Sequence, residues 1–544
     1  MSEGALSFVL HAHIPYVRKA GVWPFGEEWL FEVMASSYIP VLRALESIPR
    51  PRRPLLTISL TPVLLEQLCD GYMKQRFEQY LYHRIDLCAK DVDRHRDRPE
   101  RRALAQMYET RYHSTLVDFR DRMGRDLAGE FRKLEEEGRV ELMTSAATHA
   151  YLPLLGTESA IRAQIRAGTE AHRRAFGKNP EGIWLPECGY RPAGVWREPG
   201  SGREVQRPGL ESFLAEEGIR YFIVDHHTIE GGRAGGVYWE RFPFLARPRG
   251  PDGSVERAPS GRSTFRPYIV GSGGTPVAVL GRNERTGLQV WSADWGYPGD
   301  GWYREFHKRD SVSGLQYWRV TDRQSRDLGT KQLYEPDKVG PRLEEHSAHF
   351  AGLAASLLKE HAGEGAPVIV APYDLELFGH WWYEGVRWLT MVLEKLPAAG
   401  VEALSCGAYL AEHPPSEEIS LPESSWGAGG DHRVWLNPDT EWMWREIHQA
   451  ERWMEEAARR HSGDPSKREL LAQAARELML LEASDWEFLV STFQAREYAV
   501  ERFRGHLERF AALRAAVEGQ GQAELDRLRD MDNIFPWLEP GLYI

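Results

Sequence analysis

The sequence predicts an α/β protein, a barrel of parallel strands followed by an all-helical C-terminal region. Three observations carry this. Short apolar, β-rich runs alternate with longer helical stretches through the first two-thirds of the chain. Reactive side chains follow those runs, and the strand signal disappears from about Pro438. The runs are Leu6–Leu10, Leu55–Leu60, Val140–Met143, Ile183–Leu185, Tyr221–Val224, Val277–Leu280 and Val368–Val370, the length of strands buried on both faces. Strand–helix alternation calls for crossover connections and a parallel sheet. His11 and His13 follow the first run, Thr61-Pro62 the second, His149 the third, Glu187 the fourth, Asp225-His226-His227 the fifth and Asp374 the last. An open doubly wound sheet gathers ligands at its switch point alone, whereas a barrel gathers them over its whole carboxyl-terminal face. So many occupied strand ends favour the barrel.

Other segments depart from the repeat. The charged stretch from Pro62 to Gly138, with DVDRHRDRPERR at 91–102, reads as a helical excursion whose charge run is a solvated face. Arg197–Pro208 and Arg247–Arg266, rich in Gly, Pro, Ser and Arg, read as surface loop insertions. Beyond Pro438, Met443, Ile447, Ala450, Met454 and Ala457 keep helical spacing, as do Leu471, Ala474, Leu478 and Leu481. Asp485 then breaks the second stripe. A carboxylate at that point is either a helix cap or a group aimed at something polar.

Composition removes whole classes. The 544 residues hold 68 Lys+Arg against 80 Asp+Glu, a net charge of −12 that argues against a general nucleic-acid binder. No apolar stretch approaches the ~20 residues of a membrane span. LSFVL, preceded by Glu3, is too short and wrongly charged for a secretory signal. The four cysteines, Cys69, Cys88, Cys188 and Cys406, lack the spacing of a zinc ribbon or a disulfide framework. A soluble cytoplasmic protein without nucleic-acid or membrane partners is expected. The 19 Trp, beside 20 Phe and 21 Tyr, fit either a large core or flat faces that stack on sugar rings.

Two acids stand out. Glu187 in IWLPECGY and Asp374 in VIVAPYDLELFGHWWYEG each follow a strand and lie among aromatics and prolines, which exclude water and shift carboxyl pKa values. Such a pair is what cleavage of a glycosidic bond requires. His11-Ala-His13 puts two imidazoles on one side of an extended segment. Three roles fit them: satisfied core histidines, hydrogen bonding to sugar hydroxyls, or ligation of a metal with His149, His226, His227 or Asp374. The last would make the chain a metal-dependent amidohydrolase or deacetylase.

HAHIPY (11–16), ELMTSAATHAYLPLL (141–155), IWLPECGY (183–190), YDLELFGHWWYEG (373–385) and ASDWEFL (483–489) together resemble glycoside hydrolase family 57, most of all its 1,4-α-glucan branching enzymes. The resemblance extends from His11 to the C-terminal helices. It implies an incomplete (β/α)7 barrel over residues 1–425, interrupted by a helical insertion at 66–135, and a helical C-terminal domain, 426–544, that contributes to the cleft. It implies a retaining double displacement on α-glucans such as amylose and glycogen, without metal or cofactor. Glu187 matches the nucleophile and Asp374 the general acid/base, whose pKa should be raised, with the two carboxyl groups ~5–5.5 Å apart.

Trp23, Trp291, Trp426 and Trp435 fall where branching enzymes carry cleft aromatics; each also fits a core position. The GAGG beside Trp426 suggests an exposed loop. His11, His13, His149, Arg282, Gly299, Asp485 and Gln494 match substrate contacts. The loop between Asp225 and Gly261 departs from the family pattern, and Tyr238 is the candidate tip of a cover over the cleft. A misfitting cover would admit water and turn a transferase into a hydrolase. An α-amylase or a 4-α-glucanotransferase is therefore the near alternative.

Overall fold

The computed structural model describes residues 4–232, 258–271, 275–292, 295–461 and 463–544. In chain order the strands are β1 (Gly4–Ala12), β2 (Leu56–Leu60), β3 (Glu141–Ser145), β4 (Gly182–Trp184), β5 (Gly194–Arg197), β6 (Glu204–Arg207), β7 (Tyr221–Val224), β8 (Tyr268–Val270), β9 (Val277–Gly281), β10 (Val368–Asp374) and β11 (Val401–Ala403). The spatial order β10-β1-β2-β3-β4-β7-β9 is parallel throughout, with β8 antiparallel at the β9 edge and β11 alongside the start of β1. The sheet curls until Arg282, just past β9, bridges to Val370 of β10, where the Asn283 N–H donates to the Val370 carbonyl at 2.8 Å. This single bridge stands in place of a full ladder, so the (β/α)7 barrel is incomplete.

β1 shows why these runs become strands. Leu6, Phe8 and Leu10 enter the cluster under the surrounding helices, while Ala5 and Val9 point into the barrel beside Met143, Trp184, Ile223, Leu280 and Val370. Successive side chains take opposite faces, and both faces are buried. The seven predicted runs all coincide with barrel strands.

Four helices, Pro62–Cys69, Gly71–Arg94, Pro99–Val117 and Leu127–Glu136, occupy the excursion between β2 and β3. Its charge run is not wholly a solvated face. Asp91 and His95 are buried, and Asp91 accepts from the Tyr317 hydroxyl at 2.6 Å while pairing with Arg94. Arg197–Pro208 is likewise more than a loop. It closes the β5–β6 hairpin, and Arg207 lies 3.6 Å over the Trp196 ring while donating to the Leu155 carbonyl. Cation–π stacking and charge hold this hairpin, so hydrophobic patterning missed it.

Helices Glu441–Arg460 and Pro465–Leu481 bury the two predicted stripes. Asp485 does not cap the second; it begins a new helix, Asp485–Thr492. Trp184, Trp382, Trp388, Trp435, Trp444 and Trp486 are fully buried, so much of the tryptophan belongs to the core. No helix among the described residues is long and apolar enough to cross a membrane.

Candidate active site

β4 ends at Trp184, and the chain turns sharply through Pro186, Glu187 and Cys188. Glu187 (φ 60°) and Cys188 (φ 50°) both take the left-handed conformation, which costs a non-glycine residue about 1–3 kcal/mol. Trp426 holds the turn from across the barrel mouth. Its backbone N–H donates to the Glu187 carbonyl at 3.0 Å, and its indole N–H donates to Glu187 Oε2 at 2.6 Å. Burial pushes the Glu187 carboxyl up to about 8; the indole N–H opposes this, and the charges of Asp374 and Asp485 add to it. Asp374, the last residue of β10, opens into the same cavity of about 210 Å³.

Three imidazoles form the floor. His11 Nδ1 lies 3.1 Å from Ser59 Oγ, and its Nε2 lies 3.1 Å from His149 Nε2. His149 Nδ1 meets Ser484 Oγ at 2.9 Å. Burial, then the neighbouring imidazoles, hold His11 and His149 well below the usual histidine range, so both are neutral. In the His11–His149 contact one ring donates and the other accepts. His13 Nε2 forks onto both Asp485 oxygens, at 2.9 and 3.1 Å, while Nδ1 meets Thr61 Oγ1. Ligand atoms of His13, His149 and Asp485 lie within 4.8 Å of one another, so two residues of the expected metal set, His13 and His149, converge here with Asp485.

Arg282 supplies the cation of the site. Its guanidinium lies 3.6 Å from the buried Asp225 and 5.8 Å from the centre of the Trp426 ring. Gly287 leaves the room, since a Cβ there would come 2.8 Å from Arg282 Nη2. Asp225 caps the helix His226–Glu230 and is held ionised, well below the usual carboxylate range. Against the cost of its burial stand Arg282 and the two adjacent histidines.

Of the residues singled out from sequence, His11, His13, His149, Glu187, Arg282, Trp291, Asp374, Trp426, Asp485 and Gln494 line this one cavity. Trp426 is only 8 % exposed, so it is a clamp on Glu187 and not the open-loop platform expected. Trp435 is a correction. It is 0 % exposed and stacked 4.3 Å from Tyr151, with no face left for a sugar. Gly299 is not among the residues lining the cavity; it ends a tight turn where its carbonyl accepts from Arg323 and a Cβ would crowd that side chain. Trp23 is 73 % exposed and lies outside the cavity lining. Tyr238 lies outside the described residues.

Glu376, Trp381 and Phe488 line the cavity and were missed. Each had a signal in the sequence. Glu376 is two residues beyond Asp374, Trp381 sits in the HWW run, and Phe488 is one helical turn after Asp485. One oxygen of Glu376 accepts from the His13 backbone N–H at 3.0 Å and from the Tyr38 hydroxyl. Burial, then the Asp374 charge, pushes its carboxyl up to about 8.

A parallel (β/α)7 barrel with Glu187 and Asp374 opening into one cavity beside three imidazoles and aromatic walls at its carboxyl-terminal face describes a glycosidase-type enzyme. The profile of glycosyl hydrolase family 57 matches residues 7–422, and the chain belongs to that family. The profile of the 1,4-alpha-glucan branching enzyme C-terminal domain matches residues 446–543.

The chain is 46 % identical over its full length, and over 79 % of the relative, to a 1,4-alpha-glucan branching enzyme of Thermococcus kodakarensis. The crystal structure of the family 57 branching enzyme of that archaeon, in complex with glucose and additives, covers 100 % of this chain and 96 % of its own, at 44 % identity and a TM-score of 0.90. The branching enzyme of Pyrococcus horikoshii covers 100 % and 97 %, at 44 % identity and 0.88. The alpha-amylase AmyC of Thermotoga maritima covers 100 % and 99 %, at 30 % identity and 0.81. Membership of family 57 sets aside the amidohydrolase reading.

Proposed function

We propose that the protein is a 1,4-α-glucan branching enzyme, which cuts α-1,4 links of amylose- or glycogen-like glucans and rejoins the freed end as an α-1,6 branch. One observation carries the mechanism: Glu187 and Asp374 open into a single cavity, and Trp426 holds Glu187 at both backbone and carboxylate. In the first step the Glu187 carboxylate attacks the anomeric carbon, the bond to the leaving glucan breaks, and Asp374 passes a proton to the leaving oxygen. In the second, the 6-hydroxyl of an acceptor glucan attacks the glycosyl ester, its proton goes to Asp374, and Glu187 departs as a carboxylate.

The two acids share one proton in this scheme. It must sit on Asp374 when Glu187 attacks, and burial of Glu187 works against that placement. The Trp426 N–H favours the Glu187 anion. His11, His13 and His149, with Asp485, offer donors and acceptors to sugar hydroxyls, and Trp291, Trp381 and Phe488 give the apolar walls. Replacing Asp374 with Ala and supplying a glucosyl fluoride should leave a glucosyl adduct on the peptide containing Glu187, seen by mass spectrometry. An unlabelled peptide removes Glu187 as nucleophile.

Transfer outruns hydrolysis where an acceptor displaces water from the closed cleft. Likeness to an alpha-amylase keeps hydrolysis as the second reading. Incubation with amylose, followed by proton NMR of α-1,6 linkages alongside assay of new reducing ends, separates them. Branches in excess of reducing ends are expected; reducing ends without branches would make the protein an amylase. We place the enzyme in the cytoplasm, a reading supported by four unpaired cysteines.

A further inference from the structure

A second cavity, of about 30 Å³, is lined in part by His380, in the loop that follows Asp374. It is walled by helices Glu27–Val33, Gly71–Arg94 and Pro99–Val117, by the chain from 304 to 316, and by His380. Four guanidinium groups line it, from Arg84, Arg111, Arg304 and Arg309, against one carboxylate, Glu32. Glu32 is already taken, since Arg309 grips both its oxygens at 2.6 and 2.9 Å.

The other three guanidinium groups have no carboxylate within salt-bridge distance among the described residues. Arg84 donates to the Ser313 carbonyl at 3.1 Å, and Arg111 to the Ser36 carbonyl at 3.3 Å. Arg304 reaches the His380 carbonyl at 3.3 Å and the Tyr108 hydroxyl at 3.4 Å. Nε of Arg84 and Nε of Arg304 are buried without any partner, although Arg304 is only 6 % exposed. Glu384 lies within electrostatic range of Arg304 but accepts from its backbone N–H, not from its guanidinium; Glu28 lies within range of Arg84.

The three cations, stacked on the Tyr112 and Tyr383 rings, repel one another; Arg84 and Arg304 each keep an unused Nε–H, and Arg304 has given up its hydration. A tetrahedral oxyanion answers both deficits, because its oxygens match the planar guanidinium fork. The cavity has more room than a single water requires. We propose that it binds phosphate, either free or as the phosphate group of a sugar phosphomonoester, and that the bound anion braces the 375–382 loop. The link to the catalytic cleft is short. Arg304 holds the His380 carbonyl, Ser36 Oγ meets His380 Nδ1 at 3.0 Å, and the next residue, Trp381, lines the active cavity.

Calorimetric titration of the full chain at low ionic strength, with inorganic phosphate and separately with glucose 1-phosphate, tests this. Saturable binding of one anion per chain is expected, weakened at least tenfold by Arg84→Gln and by Arg111→Gln. Arg468→Gln, at a surface pair with Glu539, should leave it unchanged. Equal affinity for the two probes assigns free phosphate as the ligand; tighter binding of glucose 1-phosphate assigns the phosphomonoester. Hydrogen exchange of the wild-type protein should show residues 375–382 more protected with phosphate, a measurement that stands even if a variant fails to fold. Absence of saturable binding, binding that survives both cavity substitutions, or unaltered exchange in that loop would overturn the proposal.

Discussion

Glu187 occupies a left-handed backbone conformation that its own residue type disfavours, and the price is met by neighbours distant in sequence. Trp426 supplies two hydrogen bonds to it, across 239 positions. The indole N–H lowers the Glu187 pKa against the upward push of burial and of Asp374. Trp426→Phe keeps the ring and deletes the donor. The Glu187 titration midpoint should then rise above about 8, leaving less of the reactive carboxylate at neutral pH. Loss of one such charge-stabilising donor costs about 10²–10³ in kcat. A pH–rate profile alongside KM checks this. A variant with raised KM, unchanged kcat and an unmoved profile would make Trp426 a stacking surface only.

At the scale of elements, the helical region reaches the catalytic face through the turn at 483–485. The Ser484 N–H donates to the His149 carbonyl, Ser484 Oγ meets His149 Nδ1, and Asp485 holds His13. The helix Glu441–Arg460 anchors this region by its buried stripe. Met454, fully buried in that stripe, gives the corresponding prediction. Met454→Ala should destabilise the protein by about 2–5 kcal/mol, read from the denaturation midpoint, with kcat nearly unchanged in the folded fraction. A loss of less than ~1 kcal/mol would mean that the stripe does not carry this packing.

For the whole molecule, the contact of barrel and helical region through Glu451 and Glu482 should be sensitive to pH. Glu451 accepts from the Gly156 N–H at 3.0 Å, and burial pushes its carboxyl from 4.5 up to about 8; Glu482, raised by burial and by the Glu451 charge, receives the Gln164 amide. A carboxyl with a raised folded-state pKa keeps its proton when folded and loses it on unfolding. Its contribution is therefore complete below about 4.5 and is lost as pH rises toward 8, by up to about 1.4 kcal/mol per pH unit. Glu451→Gln removes the titration and keeps the acceptor for Gly156. Its Tm should fall less than that of the wild type between pH 5 and 8. Parallel curves would exclude Glu451 from the effect.

Read alone, the sequence determined the parallel barrel, because strands buried on both faces must be apolar along their whole length. It also determined the helical stripes, and most of the cleft, because side chains that follow parallel strands share one face. The β5–β6 hairpin, built on an Arg–Trp stack, and the buried Asp91 carried no such periodic mark. Only tertiary structure decided which tryptophans line the cavity and which face core: Trp426 and Trp435 sit in one glycine-rich segment, yet the first clamps Glu187 and the second is stacked beneath Tyr151. It also decided which cleft carboxyl groups are raised, Glu187 and Glu376, and which arginines lack a carboxylate. Burial and charge balance depend on neighbours hundreds of residues apart, and no local pattern encodes that distance.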